Sequence, residues 1–476
     1  MDNLMRKAQG ALVGLALGWG MTVPVHAEGL SEIYRLAQSR DAIYTSARYQ
    51  LEAVQTLNQQ ARGVLFPSID LNGGVNRSWL EVDSQPVAFP GPPGAPPTLI
   101  DQSGETTNAE GWNYGVTLRQ PLFVAEAIFR YGQARRQVAL AEVRFALARQ
   151  DLMLRTAASY FDVLRSGQAL AAGNAELRAL EQELARARRS FEVGTAAITD
   201  LNEAQARHDL VAAQVLQYRN DEAIAREALT RIIGQPVPPL KAVRAEFPLE
   251  QPAPAVQSEW VAQARQANLF RVASGLGVEV ARAEVRARQG ARLPTVFLTG
   301  DYTVQESRNP SFGGQVARTE TDNRVVGLQV SVPLFRGGLL SAQVDEAAAL
   351  YNQRKSDFVD ADRAAEFQAS QAYLQLTTAI AQVRAFEQAV KSSAIAYESA
   401  RRGREVGVRT AVDVLIALQQ VYAAQQNLDG ARLAYLLGRL NLQAAAGSLT
   451  PEDLVVIDRY LDEASAAASP IRVDGV

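Results

Sequence analysis

The sequence predicts a mixed α and β fold: a membrane β-barrel that takes four strands from each chain, twelve in a trimer, continued by a long α-helical barrel, all built from two internal repeats. Three observations carry this. Two proline-free runs, 122–235 and 334–450, are each interrupted by one Val-Gly pair, so each reads as a helical hairpin much longer than ordinary globular helices. Between helical stretches the apolar period drops from about 3.6 to 2. The second half of the chain then repeats the first in order.

Composition narrows the function. A chain of 476 residues ordinarily suggests about three compact domains, but a repeat architecture overrides that expectation. Net charge is −3 and the pI about 5.8, so no bulk field favours nucleic acid as a partner. The absence of Cys excludes disulfides, thiolate metal sites, Cys nucleophiles and a lipidated N-terminal Cys. Of two His, only His208 lies beyond the leader described next, and it is expected on a helix surface. No Ser-His-Asp set, metal-spaced His cluster or phosphate-binding glycine loop can be assembled, so neither an enzyme nor a cofactor or metal site is expected.

Taken in order, residues 1–27 read as a secretory signal peptide. Arg6 and Lys7 precede an apolar stretch from Ala8 to Val25, and Val25-His26-Ala27 supplies small residues for cleavage, so the mature chain begins at Glu28. The first repeat spans 28–235. It opens with a helix over Leu30 to Phe66, striped by Ile33, Leu36, Ala37, Tyr44, Leu51 and Val54, and stopped by Pro67. A strand-loop-strand unit fills 68–120. Ile69, Leu71, Gly73 and Val75 alternate with Asp70, Asn72, Gly74 and Asn76, and Trp112, Tyr114, Val116 and Leu118 do the same before Pro121. The intervening 84–111, with six prolines, carries no helix or strand signal. A helical hairpin with its tip near Gly194 follows, closed by Gly234, and 236–254 is a linker. The second repeat, 255–450, recapitulates this: helix Val256 to Leu293, strand-loop-strand 295–332 with its loop at 305–324, and a hairpin with its tip near Gly407. The C-terminal tail, 451–476, is left unassigned.

The duplication is checked by offset. Adding 213 to Tyr160, Gly194, Asp200 and Gly234 gives Tyr373, Gly407, Asp413 and Gly447, while adding 227 to Pro67, Ile69 and Leu71 gives Pro294, Val296 and Leu298. The offset changes only across the strand loop, where insertions are tolerated.

Four two-faced strands cannot close a barrel, and an open edge in lipid would leave backbone groups unpaired at several kcal/mol each. Two chains would supply eight strands and a barrel filled by side chains; three supply twelve and leave room for water. On the strands alone, a soluble antiparallel sheet with one solvated face is the alternative. The helices supply a second calculation. Phe123 to Gly194 is roughly 105 Å long, matched by Leu30 to Phe66 and Asp200 to Ile233 stacked end to end at roughly 55 and 50 Å. Each repeat therefore builds one continuous and one spliced strut.

The stretch GLQVSVPLF with Arg336-Gly337-Gly338, the stretch EVGVRTAVDVL from Glu405 and the ending LNLQAAAGSL from Leu440 resemble the TolC family of outer-membrane channel-tunnels, particularly its type I secretion branch. The resemblance implies a homotrimer in the outer membrane of a Gram-negative envelope with a long periplasmic extension. It also implies docking to a periplasmic adaptor (membrane fusion) protein and an inner-membrane ABC or other transporter, with exported substrate in transit. By family motif, the gate falls on Thr199, Asp200 and Arg409, the cation-selective carboxylate ring on Asp413, and the adaptor-docking tips on Val193, Gly194, Val406 and Gly407. Two departures stand out: Arg404 replaces the family's tyrosine latch and Ile416 its second acidic ring, which suggests an Arg404–Asp200 ion pair as the latch. The alternatives are the outer-membrane component of a multidrug efflux pump and, from another class, a trimeric adhesin or envelope stalk. In an adhesin the strands form one C-terminal block; here they are split between the repeats.

Overall fold

A computed structural model of the chain describes residues 27–82, 87–89, 92–94, 96, 98–100, 105–244, 248–310 and 316–462. The leader up to residue 26 and the tail beyond 462 lie outside the described residues. In chain order the elements are α1 (Leu30–Arg40), α2 (Ala42–Gly63), β1 (Ser68–Val82), β2 (Val87–Phe89), β3 (Thr98–Ile100), β4 (Glu105–Val124), α3 (Ala125–Glu192), α4 (Ile198–Ile233), β5 (Ala242–Val243), α5 (Gln257–Ala267), α6 (Leu269–Gly290), β6 (Thr295–Pro310), β7 (Val316–Ser331), α7 (Leu339–Glu405), α8 (Ala411–Ala446), α9 (Pro451–Asp458) and β8 (Leu461–Asp462).

Each repeat begins with two helices where periodicity suggested one. The break falls at Asp41, whose carboxylate accepts a 2.7 Å hydrogen bond from the Tyr44 N–H, and at Asn268, whose amide oxygen accepts one of 3.1 Å from the Arg271 N–H. Adding 227 to 41 gives 268, so the break is itself duplicated. A short polar side chain that caps the next helix makes an extended residue tolerable inside an unbroken apolar pattern.

The long strands form one antiparallel sheet in the order β1-β4-β6-β7, leaving the outer edges of β1 and β7 unpaired among the described residues of the chain. Register places Leu71, Val116, Tyr302 and Arg324 in one row and Ile69, Leu118, Gly300 and Val326 in the next, on the same face. That face is apolar and uncovered: Val75 is 89% exposed and Val326 83%.

The strands outrun their expected ends. β4 starts at Glu105 and β7 at Val316, so the loops expected at 84–111 and 305–324 shrink, and β2 pairs with β3 inside the first. Past the apolar band the ladder continues on ion pairs, Arg77–Glu110 at 3.3 Å and Glu306 with Arg308 and Arg318 at 3.0 and 2.7 Å, and polar residues on both faces erase the alternation. Pro121 remains inside β4 because the register shifts between Pro121 and Phe123, where a bulge excuses the missing N–H. The border between apolar and charged residues slants. On β1 the first charge on this face is Arg77; on β7 it is Arg324, in the row of Leu71, three rows away.

Below the sheet, α3 and α7 run unbroken for 68 and 67 residues, about 100 Å each. α2 and α4 pack along α3, and α6 and α8 along α7. One core lies at the waist, around Leu30, Ile33, Tyr160, Tyr435, Leu436 and Leu440; a second, around Leu180, Tyr397, Val414, Leu418 and Val421, lies toward the tips. The repeat-related tyrosines both donate to backbone carbonyls between the hairpins, Tyr160 to Lys241 in the linker at 2.7 Å and Tyr373 to Ala255 just past it. The tail that the sequence left unassigned starts with α9, and β8 pairs with β5 at the same waist.

Candidate functional site at the hairpin tips

Both reversals are built from one hydrogen-bond pattern. At the first, the Val193, Gly194, Thr195 and Ala196 N–H groups donate to the carbonyls of Arg189, Phe191, Ser190 and Ser190; at the second, those of Val406, Gly407, Val408 and Arg409 donate to Arg402, Arg404, Gly403 and Gly403. Every partner is displaced by 213. Gly194 and Gly407 take φ of +75° and +77°, a left-handed conformation that leaves glycine unstrained.

The side chains differ. Thr410 caps α8: its Oγ1 accepts from the Asp413 N–H at 3.2 Å, while Asp413 Oδ2 accepts from the Thr410 N–H at 2.9 Å and from its hydroxyl at 3.0 Å. The Thr410 backbone and hydroxyl donors, then the nearby Arg409, hold the Asp413 carboxyl below the usual range; the Arg409 guanidinium is 4.0 Å from Oδ1. At the first tip Ala197 stands where Thr410 would be and cannot cap, and within the chain Asp200 makes no side-chain bond among the described residues. Thr199 likewise has no bonded partner there.

The expected Arg404–Asp200 pair does not form within the chain. Arg404 Nη1 instead lies 2.7 Å from Glu183 Oε2, and Arg186 holds the other oxygen at 2.7 Å. Glu183 is 5% exposed, so a desolvated carboxylate between two guanidinium groups outcompetes a solvated one for Arg404. This pair fastens α3 of the first hairpin to α7 of the second. Burial first, and then the Glu183 charge, push the Tyr397 phenol up. Sequence reading missed Glu183 and Arg186; their only local signal was an i,i+3 charge pair, common on any helix. Arg409 meets Asp413, not Thr199. Ile416 is 41% exposed, and Val193 and Val406 are 73% and 74% exposed at the outermost points. His208 is half-buried on α4 beside Asp209, with Nδ1 to Oδ1 at 2.9 Å.

A sheet with an uncovered apolar face, standing on two hairpins about 100 Å long that converge at matched tips, defines an outer-membrane channel-tunnel. Comparison with known proteins agrees. The chain belongs to the outer membrane efflux protein family, whose pattern matches residues 33–235 and 260–448. It is 29% identical over 459 residues to the outer membrane protein TolC of Vibrio cholerae, covering 96% of this chain and 99% of that one. It is also 29% identical over 431 residues to the alkaline protease secretion protein AprF of Pseudomonas aeruginosa, covering 90% and 86%. Among solved structures, the Campylobacter jejuni CmeC outer membrane channel has the same fold, with a TM-score of 0.73 at 16% identity over 97% of this chain and 98% of that one. The family is one of channel-tunnels of the outer membrane rather than of enzymes.

Proposed function

We propose that three copies of the chain close into one exit duct serving type I protein secretion, with the tips docked on a periplasmic adaptor that joins the duct to an inner-membrane ABC transporter. The observation that carries this reading is the four-stranded sheet with two open edges and one uncovered apolar face, which is stable in lipid only when other copies complete the ring. Exposed Leu210, Leu216 and Ile224 on α4, and Phe367 and Leu374 on α7, give neighbouring copies apolar surface to bury along the helical wall. The exposed tip valines, Val193 and Val406, beside Gly194 and Gly407, offer the adaptor its apolar contact. The branch assignment follows the similarity to a protease secretion protein and the absence of Cys.

In this reading Asp200, Thr199 and Arg409 bond to neighbouring copies in the closed gate, Arg404 fastens the two hairpins through Glu183, and Asp413 forms the carboxylate ring. Cleavage after Ala27 releases the mature chain. Detergent-extracted protein should have the mass of three chains; a stable monomer with native sheet content would overturn the duct. A tag within 311–315 should be reachable on intact cells. The family's description as efflux proteins favours small-molecule export as the second reading. Deleting the gene separates the two: loss of an exported protein supports secretion, and sensitivity to toxic small molecules with secretion intact supports efflux.

A further inference from the structure

The mature start of the chain is enclosed at the waist. The Glu28 N–H donates to the Pro239 carbonyl at 2.8 Å, and the Glu28 carbonyl accepts from the Lys241 N–H at 3.1 Å and from the Tyr160 hydroxyl at 3.2 Å. Two residues on, the Asp458 carboxylate accepts from the Leu30 and Ser31 N–H groups at 2.6 and 3.2 Å, so α9 caps the first helix of the chain. A side chain at Gly29 would meet Asp458 at 2.7 Å, which shows how closely the two ends fit. One atom in this clasp has no partner among the described residues: Glu28 Oε2 is buried without a hydrogen bond. Such an atom calls for an explanation.

We infer that the clasp is a binding site for the α-ammonium group that leader removal creates on Glu28, and that it closes only after the leader has been cut. This rests on the cleavage and orientation proposed above. In the uncut chain Glu28 N is an amide; after cleavage it is a cation beside its own orphaned carboxylate, still aimed at the Pro239 carbonyl. Around it stand Glu32 and Arg35 on α1, Asp458 on α9, Tyr160 on α3 and Lys241 on the linker, so acidic groups hold at least parity before the new charge arrives. Burial, then Glu32, raise the Glu28 carboxyl, with Arg35 opposing, as expected of a site short of positive charge.

Chain length supplies an independent argument. Tyr160 lies 32 residues before the end of α3, about 48 Å above the tips that face the inner membrane. The apolar part of the leader ends at Val25, and His26 and Ala27 reach only about 10 Å. A leader still seated in the inner membrane therefore keeps Glu28 out of the clasp.

The test compares trimers of the full chain. N-terminal sequencing comes first, and the result expected is Glu28. Thermal midpoints are then measured from pH 7 to pH 9.5 for the natural protein and for one carrying Gly-Ser between Ala27 and Glu28, which moves the ammonium about 7 Å away. An α-amino group paired with carboxylates has its folded pKa raised above the free value of about 7.7–8.0, so its stabilisation is complete below that pH and is lost as pH rises. The natural protein should therefore lose about 1–3 °C more than the extended one across this range. Glu28→Gln should shrink the same loss, and gives the comparison if the extended chain forms no trimer. A start at Glu28 with superimposable pH profiles overturns the clasp and leaves the leader reading standing; a start elsewhere overturns both.

Discussion

The first and second tips share a backbone and differ in chemistry. Each hydrogen bond of one reversal recurs 213 residues later in the other, yet Ala197 is replaced by Thr410, Phe191 by Arg404 and Ser190 by Gly403. Duplication preserved the turn, because few backbone paths reverse two packed helices, and left the outward-facing side chains free to diverge. In the second tip Asp413 is bound into a capping box and Arg404 is spent on Glu183; in the first, the Asp200 side chain has no bonded partner among the described residues of its own chain. One tip is preset and the other is available to a neighbour.

The contrast can be broken most severely at Glu183. Arg186→Ala with Arg404→Ala strands a buried carboxylate, which costs about 3–5 kcal/mol of local stability where a buried pair loses its partners. Hydrogen exchange in the lower halves of α3 and α7 should accelerate accordingly, and Glu183→Leu in the same background should reverse much of the effect. Unchanged exchange would mean the two hairpins are fastened elsewhere.

Next comes the gate. Asp200→Ala with Arg409→Ala should raise resting single-channel conductance severalfold and leave the melting of the trimer nearly unchanged, since exposed ion pairs contribute only about 0–1 kcal/mol. Conductance at the natural level would remove both residues from the gate.

The tips can also be converted into one another. Ala197→Thr should give the first tip a capping box with Asp200 and stabilise α4 by about 0.5–1 kcal/mol, whereas Thr410→Ala should cost α8 a similar amount. If capping draws Asp200 away from a neighbouring copy, Ala197→Thr will open the gate while stabilising the helix, a combination that a purely structural Asp200 would not produce. The smallest effect is ionic. The Asp413 carboxyl should titrate below the usual value of about 3.9 in a carbon-13 NMR experiment and move back up in Thr410→Ala. Its depressed pKa means that the box stabilises the tip above that range and weakens as pH falls through it. Asp413→Asn should also relieve block by trivalent cations added on the periplasmic side.

What the sequence disclosed follows from what is periodic or repeated. The two-residue alternation around Leu71 and Val116, the proline-free runs and the 213 offset read directly as faces, hairpins and duplication. Asp41 and Asn268 escaped because capping is a single-residue event inside an intact stripe. The outer ends of β4 and β7 escaped because charge pairs such as Arg318–Glu306 stabilise a ladder without alternating. Glu183 escaped for another reason: its partner is 221 residues away, and only the packing of α3 beside α7 brings the two charges together.

The slanted border on the sheet fixes how one chain lies around the bore. A border level with the membrane surface that drops six residues across three strand spacings, about 20 Å against 14 Å, implies strands inclined steeply, at about 55°, beyond the roughly 35–45° usual for membrane barrels. In a twelve-stranded ring at that inclination the backbone circle has a circumference of about 100 Å. β4, 20 residues and about 66 Å long, would then travel roughly 54 Å sideways as it rises, about half of the way round. In such a ring the outer ends of each chain's strands would stand above the helices of another copy, and three subunits would be wound together like the strands of a rope.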